Sequence, residues 1–177
     1  PILVPVVQGL AKEGITYQGC LYAGLMITAD GPKVVEFNCR FGDPETQPIM
    51  LRMQSDLVDL CLKGAKENGL QGLEVKYDPR PAVGVVLAAE GYPASPRKGD
   101  EISGLDEKTH EGTKIFEAGT KSVDGKVVTS GGRVLCVTAL GDDIKDARDR
   151  AYKLIEKVHF NGMFYRKDIA WRALKRN

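Results

Sequence analysis

The sequence has few cysteines and no long apolar run. Cys20, Cys39, Cys61 and Cys136 lie far apart with no C-x-x-C pair, which excludes the usual zinc spacings and argues against a disulfide scaffold. We therefore expect buried free thiols and a reducing compartment, the cytoplasm. No apolar stretch approaches the roughly 18 residues that a membrane helix needs, so we expect no membrane partner.

Neither sign of charge is in excess, because 25 basic side chains face 24 acidic ones and the net charge is +1. A nucleic-acid-binding surface needs a marked surplus of Lys and Arg, so we expect no nucleic-acid partner. The 177 residues are enough for one large domain or two small ones. The first residue is Pro1 and no initiating Met is present, so we expect a piece of a longer protein.

The first half of the chain predicts a helix, a hairpin and a broken helix. Residues 3–12 read as a short helix, and the β-rich segments 15–29 and 33–41 flank the turn signal Asp30-Gly31-Pro32. Helical spacing starts at Asp43-Pro44, can restart at Ser55-Asp56, and ends near Asn68-Gly69.

The second half predicts a strand-rich module closed by helices. The polar segment 71–81 marks a boundary, and short strands separated by Gly and Pro turns follow it. Residues 142–158 have the apolar period of an amphipathic helix, and a last short helix is expected over 167–175. This order indicates an α+β fold.

One strand carries three different polar groups at alternate positions. In KVVEFNCRF, Glu36, Asn38 and Arg40 should share one face, while Val35, Phe37, Cys39 and Phe41 should face a core. Carboxylate and amide oxygens suit Mg²⁺, and an Arg fork suits a phosphoryl oxygen or a carboxylate. The alternative is an exposed face with a weak surface ion pair.

Asp43 and Glu45 follow this strand directly. Asp43 can cap a helix that has Pro44 at its first position, and Glu45 then favours the positive end of that helix. Both carboxylates could also orient an amine close to whatever Arg40 binds.

The runs YQGCLYAGLMI, KVVEFNCRFGDPETQ, GGRVLCVTA and FYRKDIAWRA resemble the phosphoribosylamine–glycine ligases (glycinamide ribonucleotide synthetases) of the ATP-grasp superfamily. The motif RFGDPE is a signature of that family, and the resemblance runs in order over essentially the whole chain. It implies that residues 1–78 are the C-terminal portion of an ATP-grasp domain, an antiparallel sheet with helices. Residues 79–177 would be the small C-terminal domain of the family.

The resemblance implies an ATP-dependent ligation in purine biosynthesis. Glycine would be phosphorylated to glycyl phosphate, and the amine of 5-phosphoribosylamine would attack it to give glycinamide ribonucleotide, ADP and phosphate. Glu36 and Asn38 would bind Mg²⁺ or Mn²⁺, Arg40 would be catalytic, and Asp43 and Glu45 would contact substrate.

The chain lacks parts that the resemblance requires. It has no glycine-rich phosphate loop and no lid segment. Many ATP-grasp enzymes also place a second metal-binding acid on the preceding strand; LYAGLMI carries none, an absence that the resemblance implies for the glycinamide ribonucleotide synthetases in general. The implied partners are therefore the N-terminal ATP-grasp lobes of the same enzyme, and we expect no turnover from these residues alone.

Two further segments allow two interpretations each. In Ser130-Gly131-Gly132-Arg133, Gly132 and Arg133 could bind a substrate phosphate, or the segment is a tight hairpin turn. Arg166 and Lys167 could likewise hold phosphate, or they begin a solvated helix capped by Asp168.

Two other functions stay open at this point. The chain could belong to another ATP-grasp carboxylate–amine ligase or to a carboxylase, although RFGDPE argues against this. It could also be a non-catalytic binding module.

Overall fold

The computed structural model describes residues 2–105 and 110–175. The described helices are α1 (Leu3–Lys12), α2 (Thr46–Arg52), α3 (Leu57–Gly64), α4 (Ile144–Ile155) and α5 (Trp171–Leu174). The described strands are β1 (Tyr22–Thr28), β2 (Gly31–Asn38), β3 (Ala82–Ala88), β4 (Thr113–Glu117), β5 (Thr120–Val123), β6 (Lys126–Thr129) and β7 (Arg133–Leu140). Helices and antiparallel strands confirm the α+β prediction. Within the described residues, no helix has the length and apolar character needed to cross a membrane.

Tertiary contacts divide the chain into two compact units. The first contains the residues up to Asp43 together with Gln54–Lys76, and the second contains Pro44–Met53 and the residues from Tyr77 onward. The domain boundary expected after residue 78 stays a prediction.

The first unit is built around the predicted hairpin. Strands β1 and β2 pair antiparallel from Tyr22↔Asn38 to Thr28↔Gly31. Gly31 has φ +98, a left-handed conformation that glycine adopts without steric cost, and its carbonyl accepts a 2.8 Å hydrogen bond from Thr28 Oγ1. Both strands are shorter than expected, since pairing stops at Asn38.

The core expected beneath this hairpin is absent. Val35, Phe37 and Phe41 are 66%, 42% and 37% exposed, and Cys39 is exposed too. All buried apolar side chains among the described residues lie between Val83 and Phe160, so they belong to the second unit. The prediction was wrong because alternation fixes which side chains share a face but not whether another layer covers that face.

The burial of the cysteine thiols also differs between the two units. All four cysteines are free, as predicted, but only Cys136 is buried. Cys39 and Cys61 are exposed and Cys20 is partly exposed. The three that depart from the prediction lie in the unit that has no buried apolar cluster.

The second unit is a three-stranded antiparallel sheet in the order β3-β7-β4, with β5 and β6 forming a separate pair. Helix α4 packs against β3 and β7, and α2 contacts the same two strands. The apolar cluster is formed mainly by Val83, Val85, Leu87, Val134, Leu135, Val137, Ala147, Ala151, Leu154, Ile155 and Phe160.

Helix α4 confirms the periodic pattern. Its buried residues are Ala147, Ala151, Leu154 and Ile155, which recur at helical spacing. Asp143 caps the helix by accepting a 2.7 Å hydrogen bond from the Asp146 N–H, an interaction typically worth about 1 kcal/mol.

The other helix ends are partly as predicted. The break at Ser55-Asp56 is confirmed, since Asp56 caps α3 by accepting from the Asp59 N–H at 2.9 Å. Helix α3 ends at Gly64, earlier than Asn68. The last helix is shorter than the predicted 167–175, because it begins only after Ala170, whose φ is +67.

Gly84 sets how closely α2 approaches β3. A Cβ at Gly84 would lie 2.8 Å from Pro48 Cγ and 3.3 Å from Cys136 Sγ. We expect Gly84→Ala to lower the free energy of unfolding by about 1–3 kcal/mol, because overpacking forces the neighbours apart. Urea denaturation measures this. Gly9→Ala is the control, because a Cβ at Gly9 meets nothing within 4 Å and Ala has a higher helix propensity than Gly in α1. An equal change in the free energy of unfolding for the two variants would contradict the prediction.

The carboxyl group of Asp78 makes the stability of the second unit depend on pH in the acid range. Arg80 lowers the pKa of Asp78 to about 2, chiefly through side-chain hydrogen bonds, with Nη2–Oδ2 at 2.7 Å. The unfolded pKa is about 3.9, so the stabilisation is present above that pH and is lost as the pH falls through 2. In Arg80→Met we expect carboxyl NMR to show a raised pKa for Asp78, because the side-chain hydrogen bonds are lost while the N–H of residue 80 still donates to Asp78 Oδ1. Asp149, paired with Arg148, should keep its lowered pKa. An unchanged pKa of Asp78 would show that Arg80 is not the cause.

Candidate active site

Glu36 and Asn38 meet on one face of β2. Asn38 Nδ2 donates a 3.0 Å hydrogen bond to Glu36 Oε1, which confirms that the alternation brings these two side chains together. Glu36 is exposed and Asn38 is partly exposed, so both can meet a ligand. Together they present hard oxygen donors, the kind that Mg²⁺ prefers. The described residues contain no group of three or more His, Cys, Asp or Glu that could hold a metal ion.

Gly24 makes room for this pair, and sequence reasoning missed it. It is the register partner of Glu36, and a Cβ there would lie 3.0 Å from Glu36 Cγ. A glycine inside a strand often marks a close approach, so LYAGLMI contained the signal.

Arg40 departs from the predicted common face. Strand β2 ends at Asn38, so alternation no longer determines where the Arg40 side chain points. Its Nη1 donates a 2.9 Å hydrogen bond to the Phe41 carbonyl, and the residue is exposed.

Asp43 and Glu45 are both exposed. Asp43 lies in a turn and is not the helix cap, because α2 begins at Thr46 and its N-cap is Glu45. The Glu45 side chain makes no capping hydrogen bond. The capping prediction for Asp43 was therefore wrong, since Pro44 lies before the helix instead of at its first position.

The segment Ser130–Arg133 connects two sheets. Its neighbours β6 and β7 pair with other strands, so the hairpin-turn interpretation is wrong. The N–H groups of Ser130 and Gly131 donate to the Gly119 carbonyl at 2.7 and 3.1 Å and are thereby engaged within the protein. Arg133 is exposed.

Tyr92 explains why residue 132 is a glycine. A Cβ at Gly132 would overlap the Tyr92 ring, and the Gly132 carbonyl accepts a 2.9 Å hydrogen bond from the Ala89 N–H. Arg97 holds the loop that carries Tyr92, because it pairs with Asp100 at 2.8 Å and also with Glu90.

Arg166 is paired within its own loop. Its Nε and Nη2 donate to the two carboxylate oxygens of Asp168 at 2.9 and 2.7 Å, and this lowers the pKa of Asp168. Asp168 is therefore an ion-pair partner and not a side-chain cap, because the N-cap of α5 is Ala170. Lys167 is exposed.

The contact between Tyr92 and Gly132 can be tested by a double-mutant cycle. We expect Gly132→Ala to lower the free energy of unfolding by about 1–3 kcal/mol, because the new methyl group meets the ring. In a Tyr92→Ala background the same substitution should cost much less, since the ring is gone. Urea denaturation of the four proteins measures the coupling, and strictly additive effects would disprove the contact.

The comparisons with known proteins place the two parts of the chain in one class. Residues 1–46 match the family model described as phosphoribosylglycinamide synthetase, ATP-grasp (A) domain. Residues 82–172 match the model described as phosphoribosylglycinamide synthetase, C domain. The chain therefore belongs to the phosphoribosylglycinamide synthetase family, as the resemblance predicted.

Individual relatives agree. The chain is 58% identical over 176 residues to a phosphoribosylamine–glycine ligase of Vibrio parahaemolyticus, covering 99% of this chain and 41% of that protein. It is 56% identical to the Haemophilus influenzae protein of the same name, with the same coverage. The crystal structure of phosphoribosylamine–glycine ligase from Thermotoga maritima matches with a TM-score of 0.76 and 44% identity, over 92% of this chain and 39% of that one. The chain thus spans about two fifths of the length of these relatives.

Proposed function

We propose that this chain is part of an ATP-dependent ligase that joins glycine to 5-phosphoribosylamine in purine biosynthesis. The observation that carries the proposal is the 3.0 Å Glu36–Asn38 pair, which lies in the segment that matches the ATP-grasp model. Its relatives carry the name phosphoribosylamine–glycine ligase.

The reaction needs no protein nucleophile. The γ-phosphoryl group of ATP passes to the glycine carboxylate, giving glycyl phosphate and ADP. The amine nitrogen of phosphoribosylamine then forms a bond to the carbonyl carbon, phosphate leaves with the electron pair of the broken C–O bond, and the amine loses a proton. The protein contributes positioning and charge stabilisation.

The donor set of Glu36 and Asn38 fits Mg²⁺ or Mn²⁺. Asn38 Nδ2 is turned to Glu36 Oε1, which leaves the other carboxylate oxygen and the amide oxygen for a metal ion. A hard cation held there would neutralise charge on the phosphate oxygens of ATP.

The roles proposed for Arg40, Asp43 and Glu45 follow from the charges of their side chains. Arg40 would donate to the phosphoryl group in transfer, after giving up its bond to the Phe41 carbonyl. The exposed carboxylates of Asp43 and Glu45 would orient the amine of the incoming substrate.

Gly132, Arg133, Arg166 and Lys167 are proposed to bind the phosphate of phosphoribosylamine. Exposed Arg133 and Lys167 supply positive charge that a phosphate can reach. Arg166 would have to leave Asp168 first. Gly132 would act by allowing the close packing of Tyr92 that fixes the start of β7.

The apolar side chains of the hairpin are exposed, which supports the proposal that the 177 residues have no catalytic turnover by themselves. We infer that the N-terminal ATP-grasp lobes complete the site and that the enzyme acts on small molecules in the cytoplasm. The balanced charge of the chain supports the absence of a nucleic-acid partner.

A chimaera tests the function. The 177 residues replace the matching segment of the Vibrio parahaemolyticus ligase, and ADP release is measured with glycine and phosphoribosylamine. We expect Glu36→Gln to lower turnover by about a hundredfold or more, because charge stabilisation of the transferring phosphoryl group is lost. Glu156→Gln is the matched control, since Glu156 is exposed at the end of α4 and has no proposed role.

The outcomes separate the alternatives. ADP release that does not depend on glycine would favour another ATP-grasp ligase or a carboxylase. Full activity of Glu36→Gln would favour a non-catalytic module.

A further inference from the structure

The loop of residues 89–100, which we call the clamp loop, follows β3 and is bonded to both ends of the segment Ser130–Arg133. Just before that segment, the Thr129 N–H donates to the Asp100 carbonyl at 2.9 Å, and the Thr129 hydroxyl accepts from the Asp100 N–H at 3.1 Å. Near its other end, the Gly132 carbonyl accepts a 2.9 Å hydrogen bond from the first residue of the clamp loop. Thr129 is fully buried, so the clamp loop determines the path by which the chain enters β7.

The pairing between β7 and β3 changes register beside Arg133. Leu87 pairs with Leu135, whereas the next residue, Ala88, pairs with Arg133, so Val134 is skipped. A bulge of this kind changes the direction in which a side chain points. Val134 is fully buried and Arg133 is exposed. Regular alternation along β7 therefore does not by itself set the direction of the Arg133 side chain, and the backbone before it matters more.

The clamp loop contacts that backbone through an aromatic ring. The Tyr92 N–H donates to the Ala89 carbonyl at 3.1 Å, and the Tyr92 ring lies where a Cβ of residue 132 would be. Packing this close leaves the ring no room to move independently of Gly132. A shift of the clamp loop would therefore move the residue next to Arg133.

Arg97 closes the clamp loop with all three nitrogens of its guanidinium group. Its Nε and Nη2 donate to the two carboxylate oxygens of Asp100 at 2.8 and 2.9 Å, and its Nη1 donates to the Glu90 carboxylate. Its backbone N–H also donates to the Glu90 carbonyl at 2.8 Å. The planar fork of an arginine fixes the geometry of such a bidentate pair. Arg97 thus joins the beginning of the clamp loop to its last residue.

The bond to Asp100 is the more important of the two ion pairs. The Asp100 side chain is 17% exposed, whereas that of Glu90 is 60% exposed, and solvent screens an exposed pair. Removing the Arg97 side chain would leave the largely buried Asp100 carboxylate without its guanidinium partner. Arg97 does not belong to the apolar cluster of the second unit, so we expect its loss to loosen the clamp loop and to leave the sheet in place.

We propose that Arg97 is a positioning residue for 5-phosphoribosylamine, because it closes the clamp loop and thereby holds Arg133 where the substrate phosphate can reach it. The inference rests on the proposed function, since it assumes that Arg133 binds this phosphate. Arg97 itself touches no substrate in this role, because its guanidinium group is bonded to Asp100 and Glu90.

Steady-state kinetics of the Vibrio chimaera test the role. We expect Arg97→Met to raise the KM for phosphoribosylamine about tenfold and to leave kcat and the KM values for glycine and ATP nearly unchanged. A variant that loses ground-state and transition-state binding equally raises KM and keeps kcat. A merely structural role would instead reduce the amount of active enzyme, which lowers kcat and leaves all three KM values unchanged.

A double-mutant cycle shows whether Arg97 acts through Arg133. We expect Arg133→Met alone to raise the KM for phosphoribosylamine. Adding Arg97→Met should then change this KM by no more than about twofold, because the side chain that Arg97 positions is already gone. Full additivity of the two substitutions would overturn the proposal.

Arg148→Met is the matched control. Arg148 also donates from Nε and Nη2 to a carboxylate, that of Asp149, at 2.8 and 2.6 Å, but it lies on α4. It should leave kcat and all three KM values unchanged. If Arg97→Met yields no soluble chimaera, Asp100→Asn is the deciding variant, because it weakens the same bidentate pair and should raise the same KM.

Hydrogen–deuterium exchange of the chimaera gives a readout that does not depend on activity. We expect the amides of residues 129–133 to exchange about tenfold faster in Arg97→Met, while those of residues 134–140 keep their rates. Equal exchange of residues 129–133 in the two proteins would overturn the proposal, and so would an unchanged KM for phosphoribosylamine.

Failure of the proposed function gives a different result. An unsubstituted chimaera that releases ADP without glycine or phosphoribosylamine would count against the function, whatever the exchange of residues 129–133 shows. A chimaera that requires both substrates, but in which Arg97→Met changes no KM, would overturn only the positioning role. An unchanged KM in Arg133→Met would overturn the assignment of Arg133, and the positioning role with it.

Discussion

The burial of strand β7 is the constraint on which the second unit depends. Every residue from Val134 to Leu140 is buried, so both faces of this strand must be covered. Strands β3 and β4 pair with its two edges, while α4 and α2 contact it. Most side chains on the two faces are apolar, so removing them from water supplies the main driving force for this arrangement; the buried exception, Thr138, donates a 3.0 Å hydrogen bond from its hydroxyl to the Lys114 carbonyl. Gly84 then decides how closely α2 can approach.

The hairpin of the first unit stands in contrast to this sheet. Its strands pair antiparallel with one register shift between Gly24 and Leu25, but its large apolar side chains, including Val35 and Phe37, remain exposed. A two-stranded hairpin is at best marginally stable by itself in water. Glu36 and Asn38 are therefore carried by the unit that has no buried apolar cluster, which supports the proposal that further polypeptide stabilises this part of the chain.

The glycine-rich segment Ser130–Arg133 before β7 is used mainly for packing within the protein, so fewer of its backbone groups are available to bind a ligand. The N–H groups of Ser130 and Gly131 are engaged by the Gly119 carbonyl, and Gly132 admits the Tyr92 ring. Consecutive glycines in a sequence indicate close approach of some group to the backbone. They do not say whether that group is a phosphate or an aromatic ring from a loop 40 residues earlier.

Features that local forces control could be predicted from the order of the amino acids. The apolar period and the Asp143 cap determined α4, the turn between the hairpin strands determined their pairing, and alternation brought Glu36 and Asn38 together. The motif RFGDPE was specific enough to indicate the family. The exposure of Val35 and the cover of Gly132 by Tyr92 depend instead on the tertiary structure. Capping, turns and periodicity act within a few residues, whereas burial and side-chain packing depend on which distant groups the folded chain brings together or keeps apart.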